Sequence, residues 1–279
     1  MNKRYEYGGA YKEYPIQKGI AVFEDGSMLK THDIFDPLPT FMYDADVLFV
    51  DSPWNKTNYA SFYTKADTAP LFAYDKFIIR LFECIRLIDP EVCYLEIGKE
   101  YLQQYMQNLK RIYPYVTIYN STYYHNKNNI CYVIRGSNKS KKPSFDYLDE
   151  EDIIKAICEY ETYECIGDLC MGQGLLALAA YDSGHRFVGT ELNHKRLSVT
   201  LKKLVSKGAA YRIKKLNNNI IKECREKANL TQSEVAEYIG INTRTYQGYE
   251  NGERDISKIN FSSGLRLAKI LRIDPNEFL

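Results

Sequence analysis

The chain has 279 residues, of which 45% are hydrophobic and 26% charged, and its formal net charge is +1. That length suits one large and one small domain, and the composition excludes a disordered or fibrous chain. Apolar runs such as 47–50 and 175–181 are far too short to span a bilayer, and the seven cysteines form no Cys-x-x-Cys pair.

The sequence opens without a charged, apolar and cleavable leader, so secretion is not indicated. Reduced thiols in a cytoplasmic protein explain the odd cysteine count better than a disulfide framework or a metal site. Charge is unevenly spread. Between 195 and 215 there are eight bases, Lys195, Arg196, Lys202, Lys203, Lys207, Arg212, Lys214 and Lys215, and no carboxylate. Such a stripe either neutralises phosphates or is a solvated helix face.

In chain order, residues 20–23 and 28–34 flank the turn Glu24-Asp25-Gly26-Ser27 and read as a hairpin. The apolar run 46–50 reads as a buried strand of a parallel sheet. A helix is expected over 76–88, a strand over 92–97 and a helix over 100–113. Two antiparallel strands follow at 116–124 and 130–135. Then come a Lys/Ser-rich loop at 136–144, a helix at 150–160, a strand at 164–168, a helix at 175–183, a strand at 186–191 and a helix at 194–205. This alternation predicts an α/β fold, a mostly parallel sheet with helices on both faces. Polar Leu216-Asn217-Asn218-Asn219 marks a junction, and the pattern beyond it is wholly helical. The expected domains are therefore 1–215 and 216–279.

Asp168-Leu169-Cys170-Met171-Gly172-Gln173-Gly174 lies between a predicted strand and a predicted helix, where backbone N–H groups can approach a nucleotide-like ligand. Glu191 ends the next strand, where a carboxylate can accept from two ribose hydroxyls. Two glycines alone are commonly just a turn. No Gly-Lys-Ser/Thr follows, so this is not a phosphate-binding loop, and it is an imperfect dinucleotide fingerprint.

The segment resembles the cofactor motif of amino-group DNA methyltransferases, Asp-Pro-Phe-x-Gly-x-Gly followed by a Gly-x-Glu-Leu strand end. Asp168, Gly172, Gly174 and the run Gly189-Thr190-Glu191-Leu192-Asn193 match it. Cys170 stands where an aromatic is usual, and Leu175 where Thr is usual. The resemblance implies a Rossmann-like sheet that binds S-adenosylmethionine through Asp168, Cys170, Gly172, Gly174, Glu191 and Asn193, without a metal.

Asp51-Ser52-Pro53-Trp54 follows the strand at 46–50 and contains the single tryptophan. An exocyclic amine is a poor nucleophile because its lone pair is delocalised into the ring. A carboxylate and a carbonyl that accept its two N–H hydrogens favour the reactive geometry, and an aromatic face can hold a flipped base. Taken alone, Asp-Ser-Pro is a turn signal and a Trp is commonly core. The tetrapeptide resembles the Asp-Pro-Pro-Trp/Tyr/Phe motif of the same enzymes, and its place ahead of the glycine turn is the permuted order of their beta group.

By that resemblance Asp51 accepts from the target amine, the Ser52 carbonyl takes the second N–H, Pro53 aims the backbone and Trp54 stacks on the base. The leading Asp favours adenine N6 over cytosine N4. Ser52 departs from the family's first Pro and loosens the backbone.

Beyond residue 220, Thr231-Gln232-Ser233-Glu234 reads as a helix N-cap and Gly240 as a helix end. The string from Leu230 to Gly252, with Gln232, Val235, Ala236, Gly240, Tyr246 and Glu250-Asn251-Gly252, resembles the phage-repressor (Cro/C1, Xre-type) helix-turn-helix. That geometry implies a core of Val235, Ala236, Ile239 and Tyr246. Asn242, Thr243, Arg244 and Gln247 would face bases in the major groove. Such modules also serve as interaction or dimerisation domains.

The combined expectation is an S-adenosylmethionine-dependent methyltransferase of double-stranded DNA, acting on adenine N6 or cytosine N4. A restriction-modification setting, with a partner subunit or a homodimer, fits by analogy. The alternatives are a non-catalytic DNA-binding regulator with a degenerate methyltransferase-like domain, and an RNA-adenine methyltransferase.

Overall fold

The computed structural model describes residues 6–17, 19–123, 125–214, 220–251, 253–254 and 256–273. They divide into two compact units, Met1–Ile213 and Lys214–Leu279. The sequence-predicted junction at 216–219, with Tyr124, Lys215 and Gly252, lies outside the described residues.

The first unit begins with the short helix α1 (Ala10–Glu13) and the hairpin β1 (Ile20–Phe23) and β2 (Met28–Thr31). Then come β3 (Val47–Asp51), α2 (Lys56–Lys65), α3 (Tyr74–Ile88), β4 (Val92–Ile97), α4 (Leu102–Leu109), β5 (Tyr115–Tyr123) and β6 (Asn126–Ser137). The chain continues through β7 (Leu148–Asp149), α5 (Glu150–Tyr160), β8 (Cys165–Asp168), α6 (Leu175–Asp182), β9 (Arg186–Glu191), α7 (His194–Ser206) and β10 (Tyr211–Lys214). One ten-stranded sheet holds them in the order β10-β1-β2-β9-β8-β3-β4-β6-β5-β7. Its centre, β2-β9-β8-β3-β4, is parallel, and β6 runs antiparallel to both β4 and β5.

Side chains of β3 alternate between two cores, as the period of a strand requires. Val47 and Phe49 pack with Ile153, Ile157, Leu176 and Leu201 from α5, α6 and α7. Leu48 and Val50 pack with Phe77, Leu81 and Tyr105 from α3 and α4. Helices therefore cover both faces, which is why the central strands read as continuous apolar runs.

Topology positions the site. β3 and β8 are neighbours, but their crossovers diverge: β3 leads to β4 on one side and β8 to β9 on the other. The carboxyl ends of two such strands open a crevice between the connections. Asp51 and Asp168 stand at those ends.

The expected helix over 100–113 is shorter, because α4 stops at Leu109 and the chain turns through Lys110 and Ile112. The polar run 126–129, expected as a connection, is the start of β6 and pairs with the end of β5.

The second unit comprises α8 (Ile220–Lys227), α9 (Gln232–Ile239), α10 (Thr243–Glu250) and α11 (Phe261–Leu271) around Val235, Ala236, Ile239, Tyr246 and Leu267. Among the described residues no helix is long and apolar enough to cross a membrane.

Candidate functional site

The glycine turn is built by its own backbone chemistry. Asp168 accepts from the Cys170 N–H at 2.7 Å, and Thr190 donates to the Leu169 carbonyl at 3.1 Å, tying the turn to β9. Gly172 and Gly174 have φ of +57° and +81°, the left-handed region that disfavours a side chain. A Cβ on Gly174 would also collide with Thr200 of α7, so the turn and the helix touch at backbone distance.

Glu191 closes this cradle. One carboxylate oxygen accepts the Gly172 N–H at 2.7 Å, and the other accepts the Asn193 N–H at 2.9 Å. Each oxygen keeps a second lone pair for a ligand. The Asn193 side chain is spent elsewhere: its oxygen caps α7 at the Lys195 N–H, and its amide donates to the Lys65 carbonyl.

The tetrapeptide leaves β3 at the neighbouring strand end. Asp51 accepts from the Trp54 indole at 3.1 Å and from the Tyr123 hydroxyl at 3.4 Å. Burial pushes its carboxyl up to about 6, with Arg196, Trp54 and Tyr123 acting against that rise. Trp54 meets Tyr123 edge-on with ring centroids 5.4 Å apart. It also lies over Gly98, where an added Cβ would come within 3.0 Å of the indole.

The departure at Ser52 has a structural counterpart. Its buried hydroxyl shares a 2.9 Å hydrogen bond with Tyr105, and the Tyr74 hydroxyl donates to the Pro53 carbonyl. Two tyrosines thus hold the segment that a second proline ring would otherwise stiffen. Asn55 then caps α2 by accepting from the Asn58 N–H.

Both motifs open into one cavity. Asp51 and Pro53 line it from the tetrapeptide, and Leu169, Cys170, Glu191 and Leu192 from the glycine turn and its acid. Asp168, Gly172, Gly174 and Asn193 are not among the lining residues; Asp168 accepts from Cys170, and Gly172 and Asn193 donate to Glu191. Sequence reasoning missed several further groups. His32 and Asp33, just past β2, line the cavity, as do Tyr59, Phe62 and Tyr63 of α2. Burial pushes the His32 imidazole down to about 3, so it is neutral.

Arg196 also lines the cavity, with its guanidinium 5.2 Å from the centre of the Phe62 ring. It is one member of the basic stripe, two of whose other members are held in ion pairs. Lys195 pairs with Glu6 and Asp67, and Lys207 pairs with Asp182. Helical rotation spreads Lys195, Arg196, Lys202 and Lys203 around α7.

Two buried acids adjoin Asp51. Glu96 lies opposite it on β4, and Glu150 begins α5; one oxygen from each of the three residues lies within 4.8 Å of the others. A lone carboxylate in the otherwise apolar run 92–97, buried on both faces, was the signal available in the sequence.

In the second unit, Thr231 and Glu234 form a reciprocal capping box on α9, and Gly240 ends that helix with φ +76°. Asn242 caps α10 by accepting from the Thr245 N–H at 2.7 Å. Asn242 and Arg244 are exposed, and Thr243 and Gln247 half-buried. Gln247 donates to Gln232 at 2.9 Å, and Gln232 donates to Glu250 at 2.7 Å.

Residues 221–278 match the family model HTH_3, described as Helix-turn-helix. No curated protein matches the chain. Among solved structures, M1.HpyAVI is 14% identical with a TM-score of 0.44 over 63% of this chain and 97% of that one, and it has also been crystallised as a SAM complex. TTHA0409 from Thermus thermophilus, complexed with S-adenosyl-L-methionine, is 10% identical with a TM-score of 0.45 over 64% of this chain and 93% of that one. The restriction-modification controller protein C.AhdI from Aeromonas hydrophila is 26% identical over 23% of this chain and 92% of its own, with a TM-score of 0.20. Capped α9, the turn at Gly240 and capped α10 make the C-terminal unit a helix-turn-helix domain.

Proposed function

We propose that this chain is an S-adenosylmethionine-dependent methyltransferase of double-stranded DNA, acting on an exocyclic base amine, with adenine N6 preferred. The observation that carries the reading is the shared cavity, into which the tetrapeptide and the glycine turn with its acid both project. Two motifs more than a hundred residues apart meet where the crossovers from β3 and β8 diverge.

The residues present suit the cofactor. Gly172 and Gly174 offer backbone without side chains, and Glu191 keeps free lone pairs suited to a ribose diol. Cys170 and Leu192 add wall surface for an adenine ring. When bound, S-adenosylmethionine supplies an electrophilic methyl group.

The chain's own groups then manage the amine. Asp51 accepts one N–H and takes the proton that the amine gives up on methylation. With a carboxyl near 6 it is ionised at neutral pH yet basic enough for that task. The Ser52 carbonyl accepts the second N–H, held by the Tyr105 and Tyr74 anchors on either side of it. Trp54 supplies an aromatic face beside them. Asn242, Thr243, Arg244 and Gln247 form the base-reading set of the helix-turn-helix, and a partner subunit or second copy completes targeting.

The test is labelled methyl transfer to duplex DNA and to RNA, with Asp51→Ala as control. Signal on DNA that disappears in the variant supports the reading. Transfer to RNA alone, or cofactor binding without any transfer, would refute it. The second outcome would favour a regulator with an inactive methyltransferase-like domain, the reading to which Ser52 lends weight.

A further inference from the structure

Glu96 is fully buried, and neither of its carboxyl oxygens has a hydrogen-bond donor among the described residues. An ionised carboxylate stripped of water and left without donors is strongly unfavourable. Its surroundings deepen the problem. Asp51 lies beside it in register on β3, and Glu150 of α5 is 6% exposed, with all three carboxyls within 4.8 Å. Three like charges at that spacing cannot all persist.

The charged groups acting on Glu96 are Asp51, Glu150 and Asp149, all acids, and Cys131 of β6 adjoins it. Asp51 additionally faces Arg196 of α7, Glu191 of β9 and Tyr123 of β5. It also faces Asp168 and Cys170 of the glycine turn and Tyr105 of α4. Arg196 is the cation of this set, and it belongs to the cavity wall shared by Asp51 and Glu191. Burial, then the neighbouring acids, hold the Glu96 carboxyl well above the usual range.

We propose that Glu96 is a neutral carboxylic acid whose O–H donates to the Asp51 carboxylate, directly or through one water, and so aims the oxygen that receives the amine. A buried acid kept neutral in order to donate is an established way of using such a group. Asp51 has lone pairs to spare beyond those that face Trp54 and Tyr123. A further donor fixes the carboxylate plane and favours its ionised form, the form that can accept an N–H. Glu96 is a positioning residue: no bond to substrate is made or broken there. Its consequence for transfer rests on the reading of Asp51 given above.

The experiment compares wild type, Glu96→Gln and Glu96→Leu in the full chain. Infrared difference spectroscopy at pH 7 between wild type and Glu96→Gln should show the C=O stretch of one neutral carboxylic acid that the substitution removes, the band of neutral Glu150 remaining in both. Gln keeps an N–H donor of the same reach, so the acid limb of the pH–kcat profile should stay in place. Leu removes the donor and should move that limb upward by about one pH unit. The isosteric Gln variant decides the matter if Leu fails to fold. Absence of a neutral-acid band that Glu96→Gln removes would overturn the proposal, as would saturable Mn²⁺ binding that Glu96→Gln abolishes, since a cation would then replace the proton. A wild type that binds cofactor but transfers nothing would sink the role of Asp51, and the infrared band would still decide the state of Glu96.

Discussion

Glu250 in α10 and Glu96 in β4 are buried acids, 3% and 0% exposed, and the two units neutralise them in opposite ways. Around Glu250, Arg225 donates at 2.6 and 3.3 Å and Gln232 at 2.7 Å. Burial alone would raise the Glu250 carboxyl; Arg225 and Gln232 outweigh it and hold the group below its ordinary value. Around Glu96 there is no such donor among the described residues, and further acids stand close by. The first arrangement locks helices together and has one stable charge state. The second leaves protons to be shared, which costs stability as pH rises and gives Asp51 a tunable environment.

This contrast is broken most severely by changing the acid expected to act. Asp51→Ala should cut methyl transfer by about 10²–10⁴-fold, the range for losing a positioned proton acceptor. Unfolding should change little, and labelled transfer alongside thermal melting checks both.

Next in size is the paired acid. Glu250→Ala leaves the Arg225 guanidinium with its main carboxylate partner gone, and Arg225 is only 9% exposed. We expect the helix-turn-helix unit to lose about 3–5 kcal/mol, read by urea unfolding monitored in that unit. A loss below about 1 kcal/mol would mean that the pair behaves like a surface bridge.

Gly174→Ala tests the cradle. Its φ of +81° and the collision of the new Cβ with Thr200 should cost about 1–3 kcal/mol of stability and weaken cofactor binding. Calorimetric titration with S-adenosylmethionine measures the second effect.

The smallest expected effect carries the sign of the comparison. Burial, then Asp51, raises the Glu150 carboxyl to about 8 in the folded chain. A folded value above the unfolded one favours the neutral form, so the stabilisation is complete below the ordinary carboxylate range and is lost as pH rises through about 8. Melting temperature should therefore drop between pH 7 and 9 by roughly 2–4 °C per 1 kcal/mol lost. Glu150→Gln should flatten that slope, whereas Glu250→Gln should destabilise at both pH values.

Much of this arrangement was legible in the sequence, for reasons particular to each element. β4, α5 and β9 were bounded correctly because apolar strand runs and an amphipathic helix alternate there with clear turn signals. Val235, Ala236, Ile239 and Tyr246 were placed in the core because the helix-turn-helix spacing admits few alternatives. Helix α2 went unread because Lys56–Lys65 is polar and aromatic with only Tyr59 and Tyr63 buried, so no apolar stripe announces it. The first residues of β6 are exposed and polar, and only pairing with β5 makes them a strand.

The site divides the same way. Asp51 and Glu191 end strands and lie in named motifs, so their convergence could be anticipated. Arg196 was counted as one of eight like charges, and only the helical rotation of α7 turns it into the cavity. Tyr105 and Tyr74, which steady the Ser52 segment, reach it from α4 and α3, with no local signal linking them to it.

Asp51 and Glu191 should serve one transfer site on a DNA base. The most direct test is nucleoside mass spectrometry of duplex DNA incubated with S-adenosylmethionine and either wild type, Asp51→Ala or Glu191→Ala. Wild type should yield N6-methyladenine, Asp51→Ala none above background, and Glu191→Ala a product restored only at raised cofactor concentration. Equal methylation by wild type and Asp51→Ala, or no methylated base in any sample despite saturating cofactor, would contradict a shared site.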